Sequence, residues 1–217
     1  LESPSLLLTL NRNSAEYPEA SWLCSDRCPN RQTCIMNNRI ECFVPSMPTD
    51  DISATVEAFS RSESFFGVTV LSDVSLGCTQ TLRSIAESAS QKYILLYTKD
   101  MLLQMGLCSL DRFVAVAEDT GADMLYSDRY ELDGLSDAPV RHPAIDCQKG
   151  ALRDDFDFGP VLVFRTSSFR KAVGAMTEDY TFGALYDLRL RMRNIVHINE
   201  FLYTEIEADR RLSGVRQ

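Results

Sequence analysis

The chain has 217 residues, 45% of them hydrophobic and 24% charged, enough apolar material for a sizeable core. A net charge of -9 with no Lys/Arg stripe excludes a nucleic-acid-binding surface as the main function, because backbone phosphates would be repelled. Apolar runs such as Tyr93–Tyr97 and Val161–Phe164 fall far short of the ~20 residues that cross a bilayer, so no transmembrane segment is expected and the reading is cytoplasmic.

Residues 1–38 begin with the strand-like Leu6–Leu10 and then turn polar, broken by Pro18, Pro29, Asn30, Asn37 and Asn38. They are expected to form an irregular extension packed on the domain through Trp22 and Leu23. Seven cysteines, an odd number, suit a reducing compartment. Cys24, Cys28, Cys34 and Cys42 are dense enough to raise a zinc site. They lack a repeated C-x-x-C, and Cys42 falls in a strand pattern, so ordinary buried or loop thiols are the competing reading.

From residue 39 to 217 the pattern becomes that of a single α/β domain. Ile40–Pro45 is strand-like, and Asp50-Asp51 opens a helix carrying Ile52, Val56 and Phe59 at near-helical spacing. Phe66–Leu71 predicts a second strand and Ser72–Cys78 a turn-rich loop. Thr79 is placed as the cap of a helix whose Leu82, Ile85, Ala86 and Ala89 share one face. Tyr93–Tyr97 is apolar throughout without alternation, as a central strand covered on both faces should be. It breaks abruptly into Thr98-Lys99-Asp100, and open α/β sheets bind ligands beyond such strand ends. A helix with Leu107, Leu110, Phe113, Val114 and Ala117 follows, Gly121 closes it, and Ala122–Tyr126 supplies another strand.

After Asp128 the alternation fails. Residues 129–153, with Gly134, Pro139, Pro143 and Gly150, predict a ligand-side excursion of loops and short strands. Pro160–Arg165 then reads as a strand, Ser167–Met176 and Leu185–Met192 as helices, and Ile195–Ile198 as a final strand. His197 is expected to be packed in the core, whereas His142 is free to face a ligand. The abrupt ending at Ser213–Gln217 suggests a piece of a longer protein.

The dinucleotide, P-loop, α/β-hydrolase and zincin signatures are all missing. Asp157-Phe158-Gly159 spells the metal-binding tripeptide of kinases without the segments that must accompany it, and is taken as coincidence.

The succession of strands ending in Val44-Pro45-Ser46, Leu71-Ser72-Asp73 and Tyr97-Thr98-Lys99-Asp100 resembles the nucleotide-binding half of family 2 glycosyltransferases. In that family the corresponding ends read V-I-P-T-Y-N, D-D-G-S-x-D-x-T and Y-I-L-F-L-D-x-D-D. The likeness extends over about residues 39 to 213. Downstream, Ala172–Met176 is similar to the family's V-G-G-F turn, Ala184–Arg191 to its E-D-x-D-L-x-L-R helix and Phe201-Leu202-Tyr203 to its closing L-Y. More narrowly, Tyr93–Lys99, Arg153–Gly159, Leu185–Leu190 and His197–Glu205 are similar to the first of two tandem glycosyltransferase domains in large proteins of gut Bacteroidetes.

The resemblance implies a GT-A fold with a mainly parallel sheet, and nucleotide contacts from Pro45, Ser46, Ser72, Asp73, Thr98 and Lys99. It implies Mg²⁺ or Mn²⁺ at Asp100, although Thr98 replaces the first Asp of the D-x-D, and Lys99 is suited to neutralise phosphate charge in place of some of that metal. The base position E-D falls on Ala184-Leu185, leaving Asp187, Glu178 and Asp179 as substitutes; Asp187 reads more readily as a helix-surface or structural carboxylate than as a catalytic one. Asp154, Asp155 and Asp157 read mainly as a solvated loop. Two functions are therefore expected to compete. One is transfer of a sugar from a nucleotide-diphosphate donor to a saccharide or lipid-linked acceptor in surface polysaccharide synthesis. The other is a catalytically silent GT-A domain that scaffolds an adjacent active one.

Overall fold

A computed structural model of the chain describes residues 8–11, 39–46, 49–72, 74–133, 138–148 and 156–207. The expectations for Trp22, Leu23, Cys24, Cys28, Cys34, Asp73, Asp154 and Asp155 fall outside these residues. Within them, β1 (Leu8–Asn11), β2 (Ile40–Pro45), β3 (Phe65–Leu71), β4 (Tyr93–Tyr97), β5 (Leu102–Met105), β6 (Met124–Asp133), β7 (Val140–His142), β8 (Val161–Arg165) and β9 (Ile195–Glu207) belong to one sheet. Its order is β1-β3-β2-β4-β8-β6-β9-β5, with β7 paired to β6. The strands β2, β3, β4, β6 and β9 run one way, and the shorter β1, β5, β7 and β8 run against them.

Two layers of helix cover the sheet. On one face lie α1 (Thr49–Ser60) and α3 (Ser109–Thr120), whose Phe59, Leu110, Phe113 and Ala117 join Tyr93, Leu95 and Tyr97 in one apolar cluster. On the other lie α2 (Thr79–Ser88), α4 (Thr166–Gly174) and α5 (Ala184–Leu190), packed through Leu82, Ile85, Phe169, Val173 and Leu188 on Ile94 and Leu96. Successive residues of β4 thus serve opposite layers, and all five are buried. That is why its sequence is apolar without alternation.

Gly121 ends α3 at φ 65°, in the left-handed region that glycine enters without a Cβ penalty. Thr79 is not a cap. Cys78 takes that position, and Thr79, fully buried, donates its hydroxyl to the Glu178 carbonyl at 3.1 Å and accepts the Tyr180 N–H at 2.9 Å. Tertiary partners 99 and 101 residues away have taken the hydroxyl that local spacing assigned to capping.

Three strand features depart from the sequence reading. The short β5 went unread because Leu102–Met105 merges with the apolar pattern of the helix after it. β6 continues to Asp133 and pairs with β7, so the loops and short strands expected after Asp128 begin as an extension of the strand before them. β9 runs on past Ile198 to Glu207, with register shifts against β6 around Asp128. No helix among the described residues is long and apolar enough to cross a membrane.

Candidate functional site

The parallel strands β2, β3 and β4 deliver Pro45-Ser46, Ser72 and Thr98-Lys99-Asp100 to one edge of the sheet. Ser46 and Ser72 are exposed, and the Ser46 N–H donates to the Leu71 carbonyl at 3.0 Å, tying the first two strand ends together. Thr98, half-buried, donates its N–H to the Pro160 carbonyl at 2.9 Å, which brings the segment before β8 to the same edge. Six of the eight residues assigned by resemblance, Pro45, Ser46, Ser72, Thr98, Lys99 and Asp100, are therefore gathered. Asp73 lies outside the described residues, and Asp187 lies in α5, paired with Arg191.

The side chains that give this edge its chemistry come mostly from strands the sequence reading had ended early. Lys99 Nζ stands 2.9 and 3.0 Å from the two carboxylate oxygens of Glu205, whose side chain is 2% exposed. Arg129, 8% exposed, donates its Nε to the same carboxylate at 3.1 Å. Its Nη2 reaches Glu131 at 2.8 Å and Asp157 at 3.0 Å. Glu131 in turn meets His142 Nε2 at 2.9 Å.

Register explains the construction. In the β6/β9 pairing Glu131 lies opposite Glu205, and Arg129 is two residues along the same strand. Two facing carboxylates repel unless a cation lies between them, and Arg129 spans both. β7 places His142 opposite Arg129, within reach of Glu131. The turn before β8 completes the cluster: Asp157 Oδ1 accepts the Gly159 N–H at 2.7 Å, and Gly159 holds φ 73°. A Cβ on Gly159 would run into the Tyr203 hydroxyl, so glycine is required here for both reasons.

Burial sharpens the electrostatics. The Tyr97 and Tyr203 phenols are pushed well above their usual range, chiefly by burial and further by Glu205. Among the described residues the Tyr97 hydroxyl has no hydrogen-bond partner. Burial opposes the Arg129 charge, but Asp157 and Glu131 outweigh it and the guanidinium is held more firmly protonated than usual. Burial also opposes the Asp157 charge; the Gly159 N–H, Arg129 and Lys99 together hold that carboxyl below its ordinary range. Arg189 of α5 stacks over Phe158 at 5.2 Å, keeps an unpartnered buried Nε and is pushed down to about 10 by burial.

The acid corner is different. Ala184 is fully buried, Leu185 is partly buried against the same apolar cluster, and the Asp187 carboxylate accepts the Arg191 Nε–H at 3.0 Å. Asp179 pairs with Arg83, and the Glu178 carbonyl receives Thr79. His197 is packed, as expected, 3% exposed and stacked on Tyr126 at 4.8 Å; it also bridges Asp128 and Asp146 at 2.9 and 2.8 Å. Cys42 is buried in the core of β2, where burial and then Glu41 push its thiol up, away from the thiolate that zinc requires.

Mg²⁺ and Mn²⁺ take clustered oxygen donors. Among the described residues no group of three or more His, Cys, Asp or Glu side chains is arranged to hold a metal ion. Lys99, which separates Thr98 from Asp100 in the sequence, sets its ammonium on the buried Glu205 carboxylate. The described donor set does not fit a divalent ion.

No protein-family model matches the chain, and no curated protein does. Solved structures do. The S. aureus TarS 1–349 structure in complex with UDP-GlcNAc superposes with a TM-score of 0.55 at 13% identity, covering 82% of this chain and 62% of that one. The S. aureus TarS structure gives 0.53 at 14% identity, covering 78% and 37%. The fold is GT-A. The chain spans about three-fifths of the length of TarS 1–349, and at this identity the likeness establishes architecture alone.

Proposed function

We propose that the chain is the donor-handling domain of a nucleotide-sugar glycosyltransferase, acting on a saccharide or lipid-linked acceptor in surface polysaccharide synthesis, in the cytoplasm and beside a second glycosyltransferase domain. The observation that carries the reading is a fixed pair of cations in a GT-A sheet: Lys99 follows the carboxyl end of β4, where such sheets take their ligands, and Arg129 of β6 is tied to the same Glu205. In the reaction the bond from the sugar's anomeric carbon to the diphosphate oxygen breaks, and the diphosphate leaves with the electron pair. The acceptor oxygen bonds to that carbon and gives up its proton. Fixed cations at the departing diphosphate lower the barrier because the negative charge grows there. Asp187 is the carboxylate proposed to take the proton. Incubating the chain with UDP-, GDP- and dTDP-sugars and saccharide acceptors, and following nucleotide release, tests this. Release that depends on acceptor supports it, and none with any donor sinks it.

A second reading has its own observation. With Ala184 buried, Leu185 apolar and Asp187 tied to Arg191, the acid corner is furnished as a helix-packing surface. This favours a GT-A module that binds or scaffolds for its neighbour without transferring sugar. Such a module retains nucleotide or neighbour binding while showing no turnover.

A further inference from the structure

We propose that Lys99 is the resident cation of this site, that the donor's diphosphate binds here without a divalent metal, and that the buried Glu205 is the positioning residue that makes this work. The inference rests on the donor-binding reading above and specifies how the anion is held. It begins with the misfit between the described strand-end donors and a divalent ion. In place of the first Asp of a metal-binding pair, this site sets an ammonium against a buried carboxylate that Arg129 also holds.

The geometry gives each member a separate task. Glu205 contacts Lys99 through both oxygens, which removes the rotamer freedom of a long side chain and fixes where its charge sits. Left alone, that carboxylate would cancel the ammonium it holds. Arg129 draws on the same Glu205 from the buried side and so takes part of that charge off the ammonium, while Asp157 and Glu131 hold Arg129 in place. Lys99 remains 43% exposed at its side chain, so an N–H not directed at Glu205 stays open to an anion arriving at the strand end. The hydroxyl of the deeply buried Tyr97, without a hydrogen-bond partner among the described residues, adjoins this same carboxylate, a second sign that a polar group here awaits a further oxygen-bearing group.

Calorimetric titration of the whole chain with UDP, GDP and dTDP, and with the bare nucleosides, in EDTA and then in Mn²⁺, is the test. The expected result is diphosphate binding of equal affinity in both buffers. Lys99→Met, which keeps the aliphatic stem, should weaken the diphosphate roughly tenfold or more, the worth of one charge-assisted hydrogen bond, and leave the nucleoside unchanged. Lys99→Arg should restore part of the loss. Glu205→Gln should weaken the diphosphate and spare the nucleoside, a split that a merely structural role would not produce. Diphosphate binding that requires Mn²⁺ overturns the proposal while leaving the donor-binding reading intact, and that comparison needs no variant. Equal losses for diphosphate and nucleoside in Lys99→Met also overturn it. Absence of binding by every nucleotide in both buffers overturns the donor-binding reading, and this inference with it.

Discussion

The strand-end corner and the α5 corner both depart from the pattern that the sequence resembles, but in opposite ways. At the strand end a carboxylate pattern has given way to a cation with a full set of partners: Lys99 on Glu205, Glu205 on Arg129, Arg129 on Asp157 and Glu131. At α5 an acid pair has given way to apolar residues that pack, and the nearest carboxylate forms a helix pair with Arg191. A charge replaced by an ordered charge network keeps an electrostatic task possible. A charge replaced by a methyl group does not, and a proton acceptor must come from elsewhere.

Asp187→Asn breaks this comparison most directly. If Asp187 accepts the proton, the variant loses ~10²- to 10⁴-fold in transfer rate with little change in donor affinity, because general-base assistance is worth that much. Steady-state rates at saturating donor read it out. An unchanged rate would leave the α5 corner purely structural and strip the enzyme reading of its base.

Next in size is Glu205→Ala. It leaves the buried Arg129 short of one carboxylate and Lys99 without any of the pairing described above, and breaking a buried pair from one side costs about 3–5 kcal/mol. Urea unfolding measures it. Adding Lys99→Met should recover part of the loss, since the double variant no longer strands an ammonium. If the single variant costs under about 1 kcal/mol, as a surface pair would, the network is solvated and the contrast between the corners fails. Gly159→Ala follows at about 1–3 kcal/mol, the combined cost of φ 73° for an L-residue and of the collision with Tyr203.

The parts of the molecule legible in the sequence share a physical character. β2, β3, β4 and β8 are short, apolar and buried, and Gly121 punctuates α3, so local pattern and final environment agree. The site was only half visible. Its strand ends follow from the apolar runs before them, but Lys99 and Glu205 are 106 residues apart, and Arg129 and Glu205 are 76 apart. Charged residues in β9 look like a solvent-facing alternation until the β6 register turns Glu205 inward. One signal was available: Tyr203 and Glu205 are two apart in a strand, so an inward tyrosine carries the glutamate in with it. In α2, Thr79 shows the converse, a local capping signal overridden by tertiary partners.

Asp123, at the opposite end of β6 from the Arg129 network, supplies a carboxylate against which that network's pH response can be judged. It begins the turn into β6, receives the Ser168 hydroxyl on one oxygen and accepts the Arg193 and Asn194 N–H groups at 3.1 Å each on the other, joining α4 to the start of β9. Burial alone would raise its pKa, but these donors and Arg165 outweigh it and hold the carboxyl below the ordinary range. The sign follows directly. A carboxylate depressed in the folded state contributes stability that is fully present above its unfolded pKa, near ~3.9, and lost as pH falls through the lower folded value. Asp123→Asn should therefore cost roughly 1 kcal/mol at neutral pH, once solvent screening is allowed for, and progressively less as the carboxyl protonates in the wild type. Urea unfolding of both proteins at pH 7 and again below the ordinary carboxylate range makes the comparison. Asp157 is depressed for a similar reason, so Asp157→Asn should narrow its gap to the wild type in the same acid window if the Arg129 network behaves as an ordered site. A gap that stays constant with pH would mean that Arg129 does not bind the Asp157 charge, and the strand-end network would lose one of its anchors.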